Sequence, residues 1–124
     1  MTKRIYPILL KRAYDRPAPD DGTRVLVDRL WPRGLSKERA HIDLWLKDIA
    51  PSNELRGWFG HDPAKFAEFR HRYEVELASE VGQEALAQLG ELAKRGPVTL
   101  VFAARDPEHN NAVVVRDVLL LQSK

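Results

Sequence analysis

Two stretches of this sequence concentrate side chains that could hold or transform a ligand. The first is Asp28-Arg29-Leu30-Trp31-Pro32-Arg33-Gly34 and the second is Arg105-Asp106-Pro107-Glu108-His109-Asn110-Asn111. Arg29 and Arg33 offer forked, charge-assisted bonds suited to a phosphate or carboxylate. Asp28 closes an apolar run, where a carboxylate must be paired or take up a proton. It serves either as a general acid or base, as an acceptor for a ribose hydroxyl, or as the structural partner of Arg24, Arg29 or Arg33. Trp31, set among charges, either stacks a base or sugar or packs beneath neighbouring helices. His61 precedes Asp62 at a helix start, where unpaired amides favour an anion. Capping accounts for Asp62 and leaves His61 unexplained. His109 and Asn110 open the last helix, and asparagine suits caps better than helix interiors. Three adjacent side chains that donate and accept bonds nevertheless exceed what one cap needs.

Asp28 and His61 are therefore the candidate proton-transfer groups. Arg29, Trp31, Arg33, His109 and Asn110 are the candidate ligand contacts. Gly34 has a backbone reason, such as positive φ, and His41 and His71 read as solvated.

Several chemistries are excluded. The chain has no cysteine, which removes disulfides, thiolate metal sites and thiol nucleophiles. No glycine-rich phosphate loop, dinucleotide fingerprint or His-Glu-x-x-His zinc motif occurs. No Gly-x-Ser-x-Gly elbow occurs either, and Ser36 and Ser52 sit where capping explains them. His61, His109 and an aspartate lack the close spacing of a metal site, so no metal is expected. The sequence does not say which cofactor, if any, is used.

The elements that must position these groups follow from pattern. Ile5 to Leu10 reads as a first strand, with Pro7 near its start or at an edge. Asp15 to Thr23 is turn chemistry. Arg24 to Asp28 reads as a strand buried on both faces, the signature of a parallel sheet. Ser36 caps a short helix from Lys37. Ile42, Trp45, Leu46 and Ile49 have helical spacing. Pro51 ends that helix and Ser52 caps another bearing Leu55, Trp58 and Phe59. Asp62-Pro63 starts a helix carrying Phe66, Phe69, Tyr73 and Leu77, which Gly82 separates from one carrying Leu86, Leu89 and Leu92. Gly96-Pro97 stops it, Val98 to Ala103 is a second buried strand, and Asp106-Pro107 starts a helix that runs over Ala112 to Gln122. Trp45 and Trp58 read as core.

The result is one α/β domain over residues 1–124, a small, mainly parallel sheet covered by helices. Two central strands joined by a helical crossover pair in parallel, with right-handed connection. Ligands in such sheets bind outside the carboxyl ends of the strands, so the two polar stretches should converge there. At 124 residues, 44% apolar and 31% charged, the chain has the composition of an ordinary globular domain. The apolar stretch after Met1-Thr2-Lys3-Arg4 is too short and too interrupted for a leader, and no run approaches a membrane span. A cytoplasmic location is expected. Twenty basic residues against eighteen acidic ones, a net charge of +2, do not by themselves indicate nucleic acid.

The run Asp15 to Lys37, with Gly22-Thr23-Arg24-Val25-Leu26-Val27-Asp28-Arg29-Leu30-Trp31-Pro32-Arg33-Gly34 at its heart, resembles the YeaO-like family of bacterial and archaeal domains of unknown function. Trp45 to Ser52, Trp58-Phe59-Gly60-His61-Asp62 and His109-Asn110-Asn111-Ala112 extend the resemblance over nearly the whole chain, in order. It implies a compact α/β domain and assigns no reaction. Two functional expectations remain. One is a site for a small anion, a nucleotide or phosphorylated metabolite, in an enzyme or a binding domain. The other, less favoured, is a nucleic-acid or protein module using the Arg24–Lys47 face.

Overall fold

Four strands form one sheet in the computed structural model, which describes residues 5–123. They are β1 (Ile8–Arg12), β2 (Thr23–Leu26), β3 (Leu44–Trp45) and β4 (Val98–Phe102). Their order across the sheet is β1-β4-β2-β3, and every neighbouring pair is parallel. All carboxyl ends therefore lie along one edge. The Met1–Arg4 segment, weighed above as a leader, lies outside the described residues.

The two strands read as buried are the central pair. Val25, Leu26 and Val27 are fully buried, as are all five residues of β4. Such runs satisfy their backbone through strand pairing on both sides and their side chains through cover on both faces. On one face Val25, Val27, Val98, Leu100 and Phe102 join the main core, packed by helices α3 (Phe66–Leu77), α4 (Glu80–Arg95) and α5 (Asn111–Gln122). On the other, Leu26 and Val101 meet a thinner cover of Ala13, Trp31, Leu35, Ile42 and Trp45.

Four expectations need correction. Ile42 to Ile49 is not a helix. Its apolar spacing is met instead by the two-residue strand β3, paired to Val25 and Leu26, and by a 3-10 turn at Lys47–Ile49. A fourth strand was thus hidden in a helical pattern, because tertiary pairing overrode the local period. Gly82 does not divide α3 from α4. The break falls at Ala78-Ser79, where Ser79 accepts the Gly82 amide; Gly82 sits inside α4 against the Leu77 carbonyl, 2.5 Å from where a Cβ would lie. Asp106-Pro107 does not start a helix either. It forms a turn, and Asn110 caps α5 by accepting the Val113 amide at 3.1 Å. Trp45 and Trp58 are half-buried rather than core; Lys47 lies over the first ring and Arg72 over the second.

The amino end of the sheet is held by a buried ion cluster. Asp21 accepts from Arg24 Nη1 at 2.7 Å and Lys11 Nζ at 2.9 Å, and its oxygen also accepts the Ala18 amide. Arg24 donates further to the Ala40 and His41 carbonyls. With 3% exposure, Arg24 is withdrawn from the outer face on which it was expected. Burial pushes the Asp21 carboxyl up, but the Ala18, Lys11 and Arg24 donors outweigh it and leave it below its ordinary value. Beside it, Gly22 has φ +66° and no room for a side chain: a Cβ would lie 2.1 Å from the Pro97 carbonyl oxygen.

Two outcomes follow. Gly22→Ala should destabilise by at least about 2 kcal/mol in urea denaturation, through backbone strain and the Pro97 clash. Asp21→Asn should cost about 3 kcal/mol at pH 7 by stranding Arg24. A depressed folded-state pKa stabilises above the unfolded value and ceases to as pH falls. The gap to wild type should therefore persist from pH 7 to 5 and narrow below the ordinary aspartate value of 3.8.

Candidate functional site

Beyond the carboxyl ends of β2 and β4 the chain leaves the sheet in two turns, and these meet. Asp28 follows β2 at its carboxyl end, and its Oδ2 accepts the Ala103 amide, just past β4, at 2.9 Å. Asn111, the first residue of α5, donates through Nδ2 to Asp28 Oδ1 and to the Val27 carbonyl, both at 3.0 Å. One carboxylate thus joins the ends of both central strands to the start of the last helix. Burial pushes the Asp28 carboxyl above its ordinary range. The Asn111 and Ala103 donors and the basic side chains of Arg56 and His61 pull it down without cancelling the effect.

Over this junction opens a cavity of about 980 Å³, at the upper end of the range for ligand sites. Asp28, Arg29, Trp31, Arg33, His61 and Asn110 all line it. They are held in different ways. Arg29 donates, over long distances, to the Pro51 and Ala50 carbonyls. Trp31 is fixed by its indole N–H on the Leu35 carbonyl at 2.6 Å and by the edge of Trp45 at 5.5 Å. Its ring is anchored to the fold as well as turned to the cavity. Arg33 is exposed, and its guanidinium makes no hydrogen bond or ion pair among the described residues; only its carbonyl is engaged, by the Tyr14 hydroxyl at 2.9 Å. His61 is exposed with φ +58°, in the turn after helix α2 (Asn53–Phe59).

Two expected contacts are differently placed. Asn110 is 1% exposed, and both ends of its amide are used: Oδ1 caps α5 and Nδ2 donates to the Asp106 carbonyl. His109 does not reach the cavity wall. Its Nδ1 pairs with Asp106 Oδ2 at 2.8 Å, and its ring meets Phe66 edge-on. The Asp106 carboxyl is lowered by the Glu108 amide foremost, then by the His109 side chain. The turn at Asp106 is thus a self-contained structure, because the Asp-Pro pair that mimics a helix start here closes a loop.

Arg56, Asn53 and Arg105 also line the cavity. Arg56 and Asn53 come from α2, which is docked by Ser52: its amide and hydroxyl both donate to Glu76 of α3, and its oxygen caps Leu55. Nothing in the local pattern of residues 53–56 distinguishes them from an ordinary exposed helix face; only the docking of α2 makes them wall. Arg105 is exposed and, like Arg33, has no side-chain partner among the described residues. Among those residues no group of three or more His, Asp or Glu is placed to hold a metal ion.

A family model described as "Inactive DUF488-N3 subclade" matches residues 7–124. The chain belongs to that family. The chain is similar to an uncharacterised protein of Mycobacterium tuberculosis, Rv3073c, 44% identical over 112 residues, covering 90% of this chain and 92% of that protein. The uncharacterised YeaO protein of Escherichia coli K12 is 42% identical over 112 residues, covering 90% and 96%. The YeaO-like resemblance is thereby established. No solved structure matches the chain significantly. No helix among the described residues is long and apolar enough to cross a membrane.

Removing the Asp28 carboxylate should be felt as a structural loss. Asp28→Ala leaves the Ala103 amide without an acceptor, takes from Asn111 one of its two, and should cost about 2–4 kcal/mol. Asn111→Ala should cost less, about 1–2 kcal/mol. Urea denaturation of both singles and the double should show a coupling of about 1 kcal/mol; strict additivity would mean the two do not act together.

Proposed function

We propose that the cavity binds a small anionic ligand, a nucleotide or phosphorylated metabolite, and that the domain holds it without turning it over. The observation that carries the reading is the pair of guanidinium groups at Arg33 and Arg105, exposed on the cavity wall with no internal partner. Arg29 and Arg56 stand in the same wall. Four arginines around one cavity, against two aspartates that are both engaged in the chain, make a positive field where an oxyanion is attracted.

Binding is favoured over catalysis by two considerations. Asp28, a candidate acid or base, is held as part of the strand junction by a chain donor on each carboxylate oxygen, and His61 has no partner among the described residues to orient it by a hydrogen bond. Proton transfer needs its second group oriented on the reacting atom. The family description, which calls the subclade inactive, points the same way. A nucleic-acid role for the Arg24–Lys47 face has less support, since Arg24 is buried on Asp21 and Lys47 lies over Trp45.

Thermal denaturation with added pyrophosphate and a panel of nucleotides and sugar phosphates tests the proposal. A ligand at a hundred times its Kd should raise Tm by about 5 °C or more. Arg33→Ala and Arg105→Ala should each keep the unliganded Tm within about 2 °C, being surface changes, and lose most of the ligand-induced rise. Equal rises in wild type and both variants would place any anion elsewhere.

A further inference from the structure

The hydrogen-bonding groups of the cavity are sorted by type. The free donors stand on the exposed rim, Arg33 and Arg105 without internal partners, while the half-buried guanidiniums are engaged, Arg56 with one nitrogen on Asn53 Oδ1 at 2.9 Å and Arg29 on the Pro51 and Ala50 carbonyls. Acceptors stand on the half-buried floor. Each Asp28 oxygen takes one bond from the chain and keeps a second lone pair, since an ionised carboxylate offers about four acceptor sites. Asn111 spends its amide nitrogen on Val27 and Asp28, and its Oδ1 accepts from none of the described residues. Asp106, the other acid of the wall, has both oxygens engaged within its own turn, on the Glu108 and His109 amides and the His109 ring.

A bare anion satisfies only half of this arrangement. Inorganic phosphate would suit the rim arginines, yet on the floor it would bring negative charge toward Asp28 and offer its acceptors nothing. A complementary ligand carries its charge at one end and neutral hydrogen-bond donors at the other. Resting on the reading of the cavity as an anion site, we propose that its ligand is a phosphate ester bearing vicinal hydroxyls: a sugar phosphate, free or as the ribose phosphate of a nucleotide. The phosphate meets Arg33 and Arg105, and the two hydroxyls donate to Asp28 and to Asn111 Oδ1. Asp28 is then a specificity residue, selecting hydroxylated ligands. The volume of about 980 Å³ admits either form.

The test is isothermal titration calorimetry of the whole chain with two ligand pairs: adenosine monophosphate against its dideoxy counterpart, and ribose phosphate against deoxyribose phosphate. Loss of the hydroxyls should weaken binding by at least about tenfold within a pair that binds, the worth of a hydrogen bond to a charged acceptor. Asp28→Asn should shrink that ratio, whereas Arg33→Ala should weaken both members equally and leave it intact. If Asp28→Asn does not fold, the ligand pairs on wild type still decide. Tighter binding of the nucleotide than of ribose phosphate, or the reverse, identifies the source and sustains the proposal. Equal binding within each pair, still dependent on Arg33, overturns the hydroxyl selection while leaving the anion site standing. Preferential binding of glutamate, whose ammonium would meet Asp28, also overturns it. No binding by any phosphate overturns both.

Discussion

A carboxylate at the end of a buried strand has few places to go. Left alone it would sacrifice hydration for nothing, and it would take a proton instead. Asp28 resolves this by accepting from the Ala103 amide and the Asn111 side chain. The Ala103 amide follows the last residue of β4 and needs an acceptor that the sheet no longer supplies. The same bond that shelters the charge therefore terminates the central ladder and fixes where α5 begins. The position of the cavity follows from it, because the loops that form its walls depart from these anchored points.

The two ends of the sheet treat charge in opposite ways. At the amino end, Asp21 and Arg24 are both almost fully buried, and every bond they make is internal. Such a cluster adds registry more than net stability, since desolvation offsets much of its attraction. At the carboxyl end Asp28 is sheltered by neutral donors, with Arg56 and His61 acting on it only through space. The surrounding arginines are consequently not consumed in neutralising it, which is the fate expected for Arg29 or Arg33 under the structural alternative.

The central pair of strands, their parallel direction and the meeting of the two polar stretches were legible because each rests on long-range regularities: continuous apolar runs, a helical crossover, and strand-end placement. The short strand at Leu44–Trp45 was not legible, because two paired residues leave no period of their own and Trp45, Leu46 and Ile49 imitate a helix stripe. The Asp-Pro pairs show the same limit. Asp62 caps the 3-10 turn leading into α3, yet the identical pair at Asp106 closes a loop, with the cap displaced to Asn110. The difference lies four residues downstream: Asp106 accepts the Glu108 and His109 amides within its own turn, and Asn110 accepts the Val113 amide of the helix. The cavity residues of α2 were invisible for a further reason. Arg56 gains its position from the Ser52–Glu76 tie between two helices, a contact no local pattern announces.

What separates fold from site here is how the charges are spent. An exposed arginine costs folding almost nothing whether paired or not, whereas a buried one must be matched. Folding alone therefore accounts for Arg24 completely and is indifferent to Arg33 and Arg105. Indifference would scatter such residues over the surface. Instead these two stand on the wall of one cavity, above a half-buried carboxylate whose own partners are neutral. A fold seeking only stability would turn one of those arginines onto Asp28; keeping them apart preserves a positive rim over an accepting floor, and that separation is the feature a ligand would use.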